Sequence, residues 1–427
     1  MLRFLFILLW LAAPSIQGQH PPVPQTNALE TIQFEHYGQS EGLSQGTIND
    51  LVSHDGFMWF ATQDGLNRFD GVAFTVFRKG GAFSLSDNLV QALLSDSQGR
   101  LWIGTGSGVD LYDQKSGQIQ SFQAVFGLKH PVGRTPIHRL FEDWQGRIWI
   151  ITNELGLFCF DPRTKTVQSF FPNDKTIQGG CVARDGRIWV SSLNDVFLFD
   201  AKVGVFRPLQ IRKYARTQSL IRNILIDKQE NLWIATSNDG AFRVEPHKIT
   251  HFRLGHTTAH LSSNDVARML CDRTGRVWLG TRSGGISLYH PDTQRFSYIR
   301  HARTKPRSLA EDFVWQLYQD QQGIVWVGNS SQGIDKYDPH RFPFGLIGQN
   351  ADDSQQSLPD NMIFRLFGQG DNLFIGTETG GAARYSLTTR HISPFPPVRS
   401  PEGSALRDET RIIVADSDKN LWFANWR

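Results

Sequence analysis

The fold is decided by Ser95–Asp113, SDSQGRLWIGTGSGVDLYD. Asp96-Ser97-Gln98-Gly99 is a tight turn, since Asp supplies a side-chain bond to the backbone and Gly the positive φ that such a turn requires. It separates two short strands, read here as Leu89–Ser95 and Arg100–Thr105. Gly108 turns the chain again into Val109–Asp113, and Gln118–Phe122 follows as a fourth strand. Trp102 sits on the second strand beside the turn. There its ring can fill the gap between one sheet and the next, and its N–H then needs a partner.

The same phrase recurs along the chain. GRVWLGTRSGGISLYH ends at His290, GIVWVGNSSQGIDKYD at Asp338 and NLWIATSNDGAFRVE at Glu245. The anchors are Trp59, Trp102, Trp149, Trp189, Trp233, Trp278, Trp326, Phe374 and Trp422, spaced 40 to 48 residues apart. The pattern D-x-x-G-x-[LIV]-W-[IVF]-G-T-x-x-G-[LIV]-x-x-[FY]-D describes them. A period near this length marks a repeat architecture. One four-stranded sheet cannot bury both faces alone, whereas repetition around an axis buries them against neighbours, as in a β-propeller. A parallel solenoid has shorter repeats and lacks the D-x-x-G hairpin.

Thr31–Tyr37 (TIQFEHY) resembles the outer strand of the other units, such as Phe74–Arg78. It can complete the unit holding Trp326 and close a ring of seven. Phe342–Gly348 (FPFGLIG) then becomes surplus and opens a second ring. The expectation is an all-β chain: a signal peptide at 1–18, a seven-bladed β-propeller at 30–341, and the first blades of a second propeller, cut short, at 342–427. Arg427 falls inside a hairpin, which implies a fragment or one part of a longer protein, because a strand edge would be left unpaired.

Composition narrows the function classes. The 427 residues carry 44 basic and 41 acidic side chains, a net charge of +3, evenly spread. That excludes nucleic-acid binding driven by electrostatics. No Cys/His cluster and no phosphate-cradling glycine loop occurs, so no metal or other cofactor is expected. Arg3, the apolar run Phe4–Ala13 and the small or polar Pro14, Ser15 and Gly18 form an export signal, with exit after Ser15 or Gly18. An uncleaved anchor is the alternative. The run is too short for an ordinary span, which needs about 20 residues. Cys159, Cys181 and Cys271 are not a disulfide framework. They read as buried small side chains, with a single Cys159–Cys181 bridge as the alternative.

The repeats resemble the two-component regulator propeller family. GLSQGTINDL followed by GFMWFATQDGLNRFDG (Gly42–Gly71) is similar to that family's opening, and GRLWIGT, GRVWLGT and GIVWVGN follow its central pattern. The resemblance spans about 30–427. It implies two seven-bladed periplasmic propellers, then a β-sandwich, a membrane helix and a cytoplasmic output domain. The output is usually a histidine kinase and in some relatives a diguanylate cyclase. It also implies sensing of a small-molecule or oligosaccharide ligand, and a homodimer of the full-length parent. No sandwich, membrane helix or output domain occurs in this sequence. The chain itself is expected to be periplasmic and non-enzymatic, and the parent to sit in the inner membrane. The fourth repeat departs from the pattern, with Ser192 for Thr and Asn194-Asp195 for the loop glycine.

Candidate ligand positions come from aligning the first strands, which line a propeller's channel. One position near the ligand-presenting face reads Asn49, Gln91, His138, Gly179, Arg222, Ala267, Trp315 and, in the eighth unit, Phe364. The loops between the second and third strands carry Gln63-Asp64, Asn153-Glu154, Asp239, Arg282-Ser283 and Ser330-Ser331. These residues change from blade to blade while the framework repeats. Trp315 could stack on a sugar face, and Arg222 and Arg282 could hold a carboxylate or sulfate. Arg outnumbers Lys 32 to 12, which also favours an anionic saccharide or reflects genome composition. The bland reading is that turns favour Asn, Asp, Ser and Gly for backbone reasons. Two other functions remain open. A polysaccharide lyase or glycosidase needs a converging carboxylate pair, and Asp64, Glu154 and Asp239 lie on separate units. A periplasmic protein-binding scaffold needs a broad apolar face.

Overall fold

The computed structural model describes residues 32–80, 84–212, 218–340, 357–389, 391–395, 410–418 and 420–425. The expected export signal at 1–18 and the segment Phe342–Gly348 lie outside the described residues. Between 35 and 337 the chain forms seven antiparallel four-stranded sheets. Their inner strands are Asp50–His54, Val90–Ser95, Ile137–Glu142, Ile177–Val182, Ile221–Ile226, Val266–Cys271 and Val314–Gln319. Each inner strand neighbours the next, and the seventh neighbours the first, so the circuit is closed. This is a β-propeller, and we number its sheets as blades one to seven.

Six blades are built from consecutive strands. In blade two these are Val90–Ser95, Leu101–Thr105, Gly108–Asp113 and Gln118–Ser121. Blade seven takes its outer strand from the other end of the ring. Glu35–Tyr37 pairs with Ile334–Tyr337 in the register Glu35–Lys336, His36–Asp335 and Tyr37–Ile334. One element was not foreseen. The fourth strand of blade two stops at Ser121, whose hydroxyl caps a short helix, Phe122–Phe126.

The core is a set of wedges between blades. One joins Trp102, Val109 and Leu111 of blade two to Ile148, Ile150, Phe158 and Phe160 of blade three. Another seals the ring, joining Leu51, Phe60 and Phe69 of blade one to Trp326 and Ile334 of blade seven. Trp59, Trp102, Trp149, Trp233 and Trp278 are fully buried. Burying one such ring is worth about 4–6 kcal/mol as an upper estimate.

The repeat aspartate explains the consensus. Asp96 Oδ2 accepts the Trp102 indole N–H at 2.8 Å, while its Oδ1 accepts the turn amides of Gln98 and Arg100. Asp143–Trp149, Asp227–Trp233, Asp272–Trp278 and Asp320–Trp326 repeat the bond. Blade four has Ala183 at this position, and the Trp189 N–H has no partner. Blade one has a two-residue Asp55-Gly56 turn, both residues at positive φ, and Trp59 donates to the His54 carbonyl. The glycine after the Trp is steric. A Cβ on Gly104 would stand 2.6 Å from Ile137 of blade three, and one on Gly280 would stand 2.5 Å from Val314 of blade seven.

Beyond the ring, Ile363–Gln369, Asn372–Thr377, Ala382–Ser386 and Ile392–Pro394 form another four-stranded sheet. Thr410–Ala415 pairs with Leu421–Asn425. Trp422 again donates to an aspartate, Asp416, at 3.0 Å. All three cysteines are free. Cys159 is buried, whereas Cys181 and Cys271 are only half-buried.

Candidate functional site at the channel mouth

Each inner strand from blade two onward carries a β-bulge one residue after its start. A bulge re-aims the extra side chain. The bulged residues are Gln91, His138, Gln178, Arg222, Ala267 and Trp315, and Asn49 stands at the equivalent place in blade one. The position picked out by alignment is therefore this bulge, with one correction. In blade four it is Gln178, because Gly179 already pairs regularly with Ser191. In the sheet beyond the ring, Phe364 occupies the bulge between Ile363 and Arg365.

The loops between second and third strands stand at the same end as the bulges. In blade six the amide of Arg282 donates to the carbonyl of Asp265, two residues before the bulge, and blades two to five and blade seven repeat this bond. The two sets of residues thus share one mouth of the channel.

Three of the candidates come together there. The Arg282 guanidinium lies 5.1 Å from the centre of the Trp315 ring and 5.2 Å from that of Phe313. The two rings meet edge to face at 5.5 Å. Such cation–π contacts are worth about 0.5–2 kcal/mol and hold the guanidinium plane in place. Arg222 Nε stands 3.0 Å from Asp265 Oδ1, yet the pair is not aligned as a hydrogen bond. The Nε atoms of Arg222 and Arg282 and Oδ1 of Asp265 are all buried without a hydrogen-bond partner. Burial, and after it the charge of Arg222, pulls the Arg282 guanidinium below its usual pKa, while Asp265 opposes this. Two like charges held together beside aromatic walls attract an anion that can bridge them.

The other candidates are spent on the protein itself. Asn49 donates its amide to the Val90 carbonyl of blade two at 2.8 Å. Gln91 accepts from Asn153 of the blade three loop at 3.3 Å. His138 turns towards blade four and stays neutral. Burial first, then the Arg139 charge, lowers its pKa to about 3.

Directly beneath the mouth lies a polar layer that the alignment passed over, one residue further along five of the seven inner strands, with Ala92 and Gly179 in the other two. Arg139 donates to the carbonyls of Gln91 and His138. Arg268 donates to those of Arg222 and Ala267, and its Nε reaches Gln316 at 3.0 Å. Asp50 and Asn223 accept the amides of Leu93 and Met269 in the following blades. Burial pushes the Asp50 carboxyl up, and Arg139 partly offsets this. This layer stitches neighbouring blades and orients the bulged residues above it. Its only signal in the sequence is its position immediately after the variable residue.

Among the described residues no group of three or more His, Cys, Asp or Glu side chains could hold a metal. No described helix is long and apolar enough to cross a membrane.

Residues 84–107, 260–283 and 308–331 match the family described as two component regulator propeller. Among curated proteins, Histidine kinase P4 of Formosa agariphila is 25% identical over 368 residues, which cover 79% of this chain and 25% of that protein. Among solved structures, a chain described as the extracellular domain of a hybrid two component system from B. thetaiotaomicron matches with a TM-score of 0.74 and 20% identity. The match covers 92% of this chain and 52% of that one. The WD40 beta propeller domain of Doa1 matches with a TM-score of 0.54 and 12% identity, over 73% of this chain and 99% of that one. The chain therefore spans a quarter of the curated relative and about half of the B. thetaiotaomicron domain.

Proposed function

We propose that this chain, which carries two component regulator propeller repeats, is the extracytoplasmic ligand-sensing part of a transmembrane signalling protein of the histidine kinase type. In this reading residues 1–18 direct export, 30–341 are the seven-bladed sensing ring, and 342–427 open a second propeller of the longer protein. The ligand is an anionic saccharide, carboxylated or sulfated, held at the mouth by Arg222, Arg282 and Trp315.

The observation that carries this is the arginine pair beside an aromatic wall. Two guanidinium groups are set by their surroundings, Arg282 by the Trp315 and Phe313 rings and Arg222 by its ion pair with Asp265. A carboxylate or sulfate would pair with the outward part of each guanidinium, and the half-buried Trp315–Phe313 pair offers apolar cover to a sugar ring. The chain itself performs no chemistry in this reading. Binding at the mouth changes how the ring meets the rest of the protein.

Thermal-shift screening of the whole chain against carboxylated, sulfated and neutral oligosaccharides tests this. An anionic saccharide should raise the melting temperature in a dose-dependent way by mass action, and Arg282→Ala and Trp315→Ala should each remove the rise. Equal shifts with neutral and anionic sugars, or shifts that survive both substitutions, would overturn the assignment.

A further inference from the structure

On the face opposite the mouth, the hairpin turns of blades four, five and six border an open depression of about 270 Å³. Arg184, Lys228 and Arg273 stand on its exposed rim, at the same turn position in three consecutive blades. No described carboxylate forms an ion pair with any of the three; Lys228 Nζ donates to the Arg273 carbonyl. Half-buried Val182 and Ile226 form an apolar wall. Glu230, both of whose carboxylate oxygens are buried without a hydrogen-bond partner, shares the lining with Cys271 and with Asp227 and Asp272, whose carboxylates already hold the Trp233 and Trp278 indoles.

Glu230 is anomalous twice over. It occupies the turn position held elsewhere by Gly99, Gly146, Gly186, Gly275 and Gly323, and it shares their left-handed backbone at φ 64. A side chain with a Cβ strains that conformation, whereas glycine does not. The blade thus carries a strained turn and a carboxylate to which no described residue donates a hydrogen bond. A buried charge without a partner is costly, so a ligand cation that pairs with it is correspondingly favoured.

We propose that this depression binds a small zwitterion, an apolar α-amino acid. Its ammonium group pairs with Glu230, its carboxylate meets the cations of Arg184, Lys228 and Arg273, and its aliphatic side chain lies on Val182 and Ile226. A carboxylate free of hydrogen bonds beneath a rim of positive groups distinguishes this site from the channel mouth, where an arginine pair faces aromatic rings. The proposal does not depend on what the mouth binds.

Calorimetric titration of the whole chain with L-leucine, isocaproate (no ammonium) and isoamylamine (no carboxylate) tests it. L-leucine should bind saturably and at least about tenfold more tightly than either half, since each lacks one charge pair. Glu230→Gly should abolish leucine binding while leaving the melting temperature unchanged or raised, because it restores the turn residue of the other blades. Glu230→Gln, which keeps the side chain's shape, should weaken binding by about tenfold or more. Absence of saturable heat with L-leucine, equal affinity for either half, or binding that persists in both variants would each overturn the proposal.

Discussion

The ring is closed by a strand of three residues, and its central residue is a histidine. His36 Nδ1 stands 2.6 Å from Asp335 Oδ1, and its Nε2 stands 2.9 Å from the Pro306 carbonyl. Both ring nitrogens face acceptors. A neutral imidazole has one N–H to donate, so this geometry is satisfied in full only by the protonated ring. The Asp335 hydrogen bond, the largest cause, raises the His36 pKa above its usual 6.5, and burial opposes it. The Asp335 side chain is fully buried, while that of His36 is 35% exposed. A charge-assisted bond to a buried carboxylate contributes about 1.5–3 kcal/mol, and solvent screening at His36 places this one near the lower end, about 1.5–2 kcal/mol. His36→Ala leaves Asp335 with the Ala310 amide at 3.0 Å. For a domain of this size the loss corresponds to a fall of about 2–3 °C in melting temperature. Because the folded pKa is raised, the contribution is fully present below the unfolded pKa and is lost as pH rises through the folded one. Scanning fluorimetry of wild type and His36→Ala should therefore show a gap that is widest near about pH 5.5 and narrows towards about pH 9. A gap that is constant or widens with pH would refute the reasoning.

Other expectations follow from the same structure. Asp96→Ala removes the acceptor of the Trp102 N–H and two turn amides, and should cost about 2–4 kcal/mol in urea unfolding. Ala183→Asp should instead stabilise by about 0.5–1.5 kcal/mol, because it offers the Trp189 N–H the acceptor that five other ring blades supply. His138 acts opposite to His36. With its pKa lowered to about 3, its contribution is present above the usual 6.5 and is lost as pH falls towards the folded value, so His138→Gln should flatten the acid limb of the stability profile. Burial pushes the thiols of Cys159 and Cys181 up to about 12, so both should resist a thiol reagent in the native protein and react on denaturation.

The fold was legible because its determinants are local. Asp96, Gly99 and Trp102 lie within one hairpin, and the bond from Asp96 to Trp102 spans six residues. That phrase, complete in four units and varied in the other five, carries the propeller almost unaided. The bulge was harder to read, since an extra residue in a strand leaves no mark in composition, and the blade four alignment slipped from Gln178 to Gly179. Arg222, Arg282 and Trp315 could be named because variation against a repeating framework exposes them. That Arg282 of blade six would lie on Trp315 of blade seven depends on how adjacent blades pack. The His36–Asp335 bond joins residues 299 apart, and no periodicity reveals it. The polar layer of Arg139, Arg268 and Gln316 was missed because each reads as an ordinary strand residue until its neighbour's carbonyl is placed beside it.

In the proposed function the channel mouth holds an anionic saccharide through the arginine pair and the aromatic wall. Calorimetric titration with oligogalacturonate, at low and at high salt, tests it most directly, in the wild type and in the Arg222→Ala and Arg282→Ala variants. Saturable binding is expected, weakening with salt and falling about tenfold or more in each variant, which corresponds to about 1.5–3 kcal/mol per charge-assisted contact. Binding that is indifferent to salt and to both arginines would contradict it.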